Sequence, residues 1–177
     1  LTADEEKVID GRKWAAVEAL STVFSEVADL RATLADLLLN ALECPPAVKR
    51  FPSRELHFTL RRELAPYFAD GDLADATAEA CNTLRKRGSK KRYAETVNGL
   101  EIPASLTVGI AVFMLRRSGG QFPDAVADAI GHWSRHWLAP PAPIALEPPV
   151  LKNIRKALRE YTEARDALVM HNLRLVH

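Results

Sequence analysis

Leu20, Val23, Phe24, Val27, Leu30, Leu34, Leu37 and Leu38 step along the chain mostly by threes and fours. That spacing gathers them on one face of an α-helix. Good helix formers run from Ala3 to Leu42 with only Gly11 interrupting and no proline between. The pattern predicts one long helix with a buried seam, Ser21 being a possible second start. Thr2 occupies an N-cap position, and Thr2-x-x-Glu5 has the spacing of a capping box. Asp4, Glu5 and Glu6 follow where the helix dipole favours anions. Pro45-Pro46 closes the run.

Further helical patterns follow it. Leu56, Leu60, Leu64 and Phe68 mark one side of a helix from Ser53 to Phe68, with a turn at Asp70-Gly71-Asp72. Asp72 caps a third helix through Leu84. Tyr93 to Val97 predicts a short helix closed by Asn98-Gly99. Pro103 starts a helix through Met114 that is apolar on nearly every face, which predicts deep burial. Ser118-Gly119-Gly120 breaks it, and Pro123 opens another to Leu138. Residues 139–149 hold five prolines in eleven positions, the pattern of an extended linker. From Val150 to Val176 the helical period returns at Leu151, Ile154, Leu158, Tyr161, Arg165, Leu168 and Leu175. No strand alternation with hairpin turns interrupts this series. The fold class is therefore all-α: a multi-helix bundle whose N- and C-terminal helices pack together, with the intervening helices inserted between them. The N-terminal seam is the natural partner inside the chain for the helix beyond the linker.

Composition narrows the class. A chain of 177 residues with 47% hydrophobic and 27% charged residues suits one or two globular domains. A net charge of +1 gives no overall argument for nucleic acid or membrane. The longest apolar run, around Ile110 to Leu115, is far short of the ~20 residues of a membrane span. Two cysteines, Cys44 and Cys81, are too few for a disulfide framework and fit a reducing, cytoplasmic compartment. The chain starts at Leu1 rather than Met, and no helix-ending residue follows Val176. Both ends read as cuts in a longer protein.

The end of the chain also carries a motif. Ala164-x-x-x-Leu168-Val169-x-x-Asn172-Leu173-Arg174-Leu175-Val176 follows a basic, alanine-containing stretch from Lys152 to Arg165. It resembles the helix that opens region 2.1 of bacterial sigma-70 family RNA polymerase sigma factors. Leu1-Thr2-Ala3-Asp4-Glu5-Glu6 is similar to the start of the second half of region 1.2 in that family. The chain departs from the family pattern at Gly11, which comes early, and at Trp14. The resemblance divides the chain into a region 1.2-like end (1–20), a helical non-conserved-region-like insertion (21–138), the Pro-rich linker (139–149) and the start of a region 2.1-like helix (150–177). It implies a transcription initiation factor whose partners are core RNA polymerase and promoter DNA. Carried over residue by residue, it assigns Asn172 and Leu175 to a pocket for a flipped promoter base, with Leu1, Thr2, Asp4 and Glu6 as neighbouring walls. An amide can read a base edge as donor and acceptor while an apolar side chain packs on its face. The segment that would carry the main polymerase contact lies beyond His177.

Other candidate chemistry is sparse. Arg85, Lys86, Arg87, Lys90, Lys91 and Arg92 form a basic loop around Gly88 with no acid among them. It is a candidate contact for phosphates or polymerase, with Tyr93 as a stacking group. His132 and His136 lie four apart on a predicted helix, a spacing open to two metal ligands. They lack the glutamate of a zinc-protease motif, and Trp133 and Trp137 beside them point to packing on the helix surface. Cys44 and Cys81 read as small packed residues rather than nucleophiles. No phosphate-binding Gly-rich loop, nucleophile elbow or paired-carboxylate pattern is present. The expectation is a monomeric, non-enzymatic chain without cofactor, metal or membrane association. The competing class is a helical protein–protein interaction module unrelated to transcription.

Overall fold

The computed structural model describes residues 1–43 and 71–176. Seven α-helices order these residues: α1 (Ala3–Glu26), α2 (Ala28–Glu43), α3 (Gly71–Arg85), α4 (Lys90–Gly99), α5 (Ala104–Arg117), α6 (Ala125–Ser134) and α7 (Pro148–Val176). No strand occurs among the described residues. The predicted Ser53–Phe68 helix, the Pro45-Pro46 stop and Cys44 lie outside them.

α5 is the centre of the packing. Every residue from Leu106 to Leu115 is buried, as its apolar content on all faces predicts. α1 meets α2, α4, α5 and α7, while α6 packs on α5 and α3 on α2. The terminal helices α1 and α7 form the most extensive helix pair. They run antiparallel, because Glu6 near the start of α1 reaches His171 near the end of α7. Leu20 and Phe24 of α1 and Ile154, Leu158 and Tyr161 of α7 join one continuous core.

Several predicted boundaries move. The long N-terminal helix is two helices, broken at Val27, whose φ of −97° and ψ of 118° are extended. No Gly or Pro marks the break. The Arg31 guanidinium donates 2.8 Å to the Ser25 carbonyl and so satisfies an acceptor left open at the end of α1. Redirection at Val27 lets α2 reach α3 and α5. α3 begins at Gly71, ahead of the predicted Asp72 cap. α6 begins at Ala125 rather than at Pro123, and Asp124 caps it, its side chain accepting from the Ala127 amide at 2.8 Å. α6 stops at Ser134 rather than Leu138, and tight turns bring Trp137 back onto the core. Trp133 and Trp137 are buried there, not packed on a helix surface, with centroids 5.0 Å apart in an edge-to-face pair. α4 runs through Gly99 and leaves its left-handed residue at Glu101, with φ 49°.

The Pro-rich stretch forms no helix or strand before Pro148, and it is held against the core. Ile144 is buried, and its amide donates 3.0 Å to the Arg117 carbonyl, while the Arg117 guanidinium donates to the Pro141 carbonyl. α7 then starts at Pro148, where the missing amide costs nothing in a first turn. Among the described residues no helix is long and apolar enough to cross a membrane.

Candidate nucleic-acid surfaces

One candidate site lies where α1 begins and α7 ends. The capping box predicted for α1 is complete: the Thr2 hydroxyl accepts from the Glu5 amide at 3.2 Å, and Glu5 Oε2 accepts from the Thr2 amide at 2.7 Å. Hydrogen bonding from Thr2 holds the Glu5 carboxyl below its ordinary range. Thr2 is therefore engaged in the helix start. Asp4 is exposed beside it.

Glu6 and Leu1 meet α7 through His171, a residue that the motif comparison passes over. His171 Nε2 lies 2.9 Å from Glu6 Oε1, and its Nδ1 lies 3.3 Å from the Leu1 amino group. Nε2–H donating to the carboxylate and Nδ1 accepting from the Leu1 amino group satisfy both contacts. A sequence signal for it exists: Ala157, Ala164 and His171 recur every seven residues, and the two alanines are buried in the core face of α7. Asn172 follows His171 directly and Leu175 lies one turn further, both exposed, and Leu175 is 71% accessible.

The fold thus draws Leu1, Thr2, Asp4 and Glu6 to the end of α7 that bears Asn172 and Leu175. Two open clefts flank Leu1. One of ≈ 390 Å³ is lined by Leu1, Asp4, Glu5, Val8 and Ile9; the other, ≈ 270 Å³, by Leu1, Ala167, Met170, His171 and Arg174. Both fall near the small end of the roughly 300–1,000 Å³ of ligand pockets. Both have apolar walls that can pack a flat group; the first carries the acceptors Asp4 and Glu5 at its rim, the second the donors Arg174 and the Leu1 amino group. Asn172 and Leu175 line neither cleft.

The basic stretch is the second candidate, and only its middle is a loop. Arg85 closes α3, and Lys90, Lys91 and Arg92 form the first turn of α4. Ser89 caps that turn, accepting from the Arg92 amide at 3.2 Å. All six cations are exposed. Arg85 pairs with Asp36 of α2, and Lys91 lies 3.9 Å from Glu95. Among the described residues Lys86, Arg87, Lys90 and Arg92 have no acidic partner. Tyr93 is not available for stacking: its ring is buried, the Arg31 guanidinium lies 3.9 Å from the ring centroid, and its hydroxyl donates to the Lys86 carbonyl at 2.8 Å.

The remaining candidates sit apart from both. His132 lies in the last turn of α6 and His136 falls in the turn after the helix, so one helix does not carry the pair. Among the described residues no three His, Cys, Asp or Glu side chains group closely enough to hold a metal ion. Cys81 is buried in α3, and burial pushes its thiol up to about 11, which keeps it protonated and unreactive at neutral pH.

Comparison of the chain with protein-family models, with curated proteins and with solved structures gives no match.

Proposed function

We propose that this chain is a piece of a sigma-70 family transcription initiation factor, comprising part of region 1.2, the intervening helical insertion and the start of region 2.1. Its parent binds core RNA polymerase in the cytoplasm and helps recognise and open promoter DNA, acting by binding without covalent chemistry. The observation that supports this most is the antiparallel seating of α1 on α7. Two sequence segments at opposite ends of the chain resemble adjacent parts of one promoter-reading unit, and in the fold they are neighbours. Residues 21–138 then stand as an insertion that leaves this pairing intact.

In this proposal Asn172 contacts a flipped promoter base through its amide, and Leu175 packs on the base face. Both are exposed at the end of α7, where they can meet DNA. Leu1, Thr2, Asp4 and Glu6 shape the neighbouring wall. The test uses the full-length parent protein mixed with core polymerase and resolved by size exclusion. Co-elution, together with promoter-directed transcription that Asn172→Ala weakens, is the expected result. Separate elution overturns the proposal.

One observation favours the competing class. Val169, Met170, Leu173 and Val176 leave an apolar surface exposed on the last turns of α7. Such a surface suits a helical interaction module that docks a protein partner. A parent that binds another protein and ignores polymerase would establish that alternative.

A further inference from the structure

The corner between α3 and α4 has a charge distribution that its own fold does not explain. Cations in the first turn of a helix oppose the dipole and weaken the helix start. α1 obeys the rule with Asp4, Glu5 and Glu6 in its first turn. α4 reverses it, with Lys90, Lys91 and Arg92 and no acid. At the third helical position, where a capping box carries Glu or Gln, this chain carries Arg92. Such a local violation marks a place where another demand outweighs stability.

We infer that this corner binds the phosphate backbone of duplex nucleic acid without reading its sequence. Lys86, Arg87, Lys90 and Arg92 are exposed and free of acidic partners among the described residues. A phosphate at the start of α4 turns both the dipole and these cations from mutually repulsive to jointly attractive. Lys90, Lys91 and Arg92 fan round the helix at roughly 100° steps, so they cannot converge on one compact anion. They suit a row of phosphates instead, and duplex DNA offers about one charge per 1.7 Å of axis. Residues 85–92 expose no apolar side chain that could enter a bilayer.

The backbone of the corner is also held in place before any ligand arrives. Tyr93 anchors the Lys86 carbonyl, Ser89 fixes the start of α4, and the Arg31 guanidinium covers the Tyr93 ring. Little backbone entropy is left to lose on binding, so the ordering cost falls on the cationic side chains. This inference does not rest on the sigma-factor proposal. The isolated chain can bind duplex whether or not its parent joins polymerase, so the two can fail separately.

Fluorescence anisotropy of the 177-residue chain with a labelled random-sequence duplex, read across salt from about 50 to 200 mM, tests it. Four phosphate contacts at roughly 0.9 each give a slope of log affinity on log salt of about −3 to −4. The combined Lys86→Gln, Arg87→Gln, Lys90→Gln and Arg92→Gln variant should lose most of that slope with an unchanged helical circular dichroism spectrum. The charge-conserving exchange of Lys for Arg and Arg for Lys at the same four positions should keep it. An unaltered slope in the glutamine variant, or no binding at the lowest salt, overturns the inference. So does equally tight binding to poly-glutamate or to phosphatidylserine vesicles.

Discussion

Glu101 holds a backbone conformation that its side chain disfavours. At φ 49° it lies in the left-handed region just past the end of α4, where glycine is the usual occupant. Glu101→Gly should therefore stabilise the protein, the relieved strain outweighing the added freedom of the unfolded chain. A gain of about 1 kcal/mol raises the thermal midpoint of a chain this size by roughly 2–4 °C, readable by circular dichroism. A fall in the midpoint would remove strain as the explanation. The sequence points to Asn98-Gly99 as the closure of this helix, and glycine is the natural choice on propensity. The chain instead continues two residues, because Val97 and Leu100 are both drawn into the core. His171 was likewise legible only in part: its spacing from Ala157 and Ala164 puts it on the buried face, but its partners Glu6 and Leu1 come from the far end of the chain.

Among the elements, α5 and α6 approach closely at Gly109. A Cβ added there would stand 2.3 Å from Val126 Cγ1 and 2.6 Å from Val126 Cβ. Helix propensity favours Gly109→Ala by about 1 kcal/mol. Overpacking against a buried β-branched side chain costs about 1–3 kcal/mol and should win. The expected outcome is a lowered urea midpoint, with Gly109→Ala combined with Val126→Ala less destabilised than the sum of the two single changes. Additive effects would show that the helices do not meet as tightly as described. Asp124 at the start of α6 gives a pH-dependent test. Burial raises its carboxyl above the ordinary value of 3.8, against the hydrogen bonds from the Ala127 and Val126 amides. Stability from that shift is present below 3.8 and is lost as pH rises through the raised value. Asp124→Asn keeps a capping oxygen and does not titrate, so its stability relative to the native protein should increase from acid to neutral pH. Urea midpoints that keep a constant difference across that range would contradict this. Helix number and type from Pro103 onward were legible because apolar runs, caps and prolines all agree there. The break at Val27 was not, because Val is a tolerable helix residue and only the demands of α2 packing select the extended conformation.

For the molecule as a whole, the Pro-rich strap and the α1–α7 pair make one core. α7 should therefore unfold with the rest rather than separately. Leu158 is fully buried, and Leu158→Ala should cost about 2–5 kcal/mol while shifting tryptophan fluorescence and helical signal together. Two resolved transitions would show that α7 folds independently. The all-α class, the buried central helix, the helix-free Pro-rich stretch and the pairing of the terminal helices were all readable from periodicity and breaker residues, since those features rest on local backbone preferences and on the need to cover apolar faces. The six cations were equally plain in the sequence, but their meaning changed with the fold. Burial of Tyr93 removed the stacking group, Asp36 and Glu95 took one cation each, and Ser89 set Lys90, Lys91 and Arg92 at a helix start. Side-chain chemistry is written residue by residue in the sequence. Which charges remain unpaired, and which distant residues share a surface, depend on long-range packing that only the tertiary structure decides.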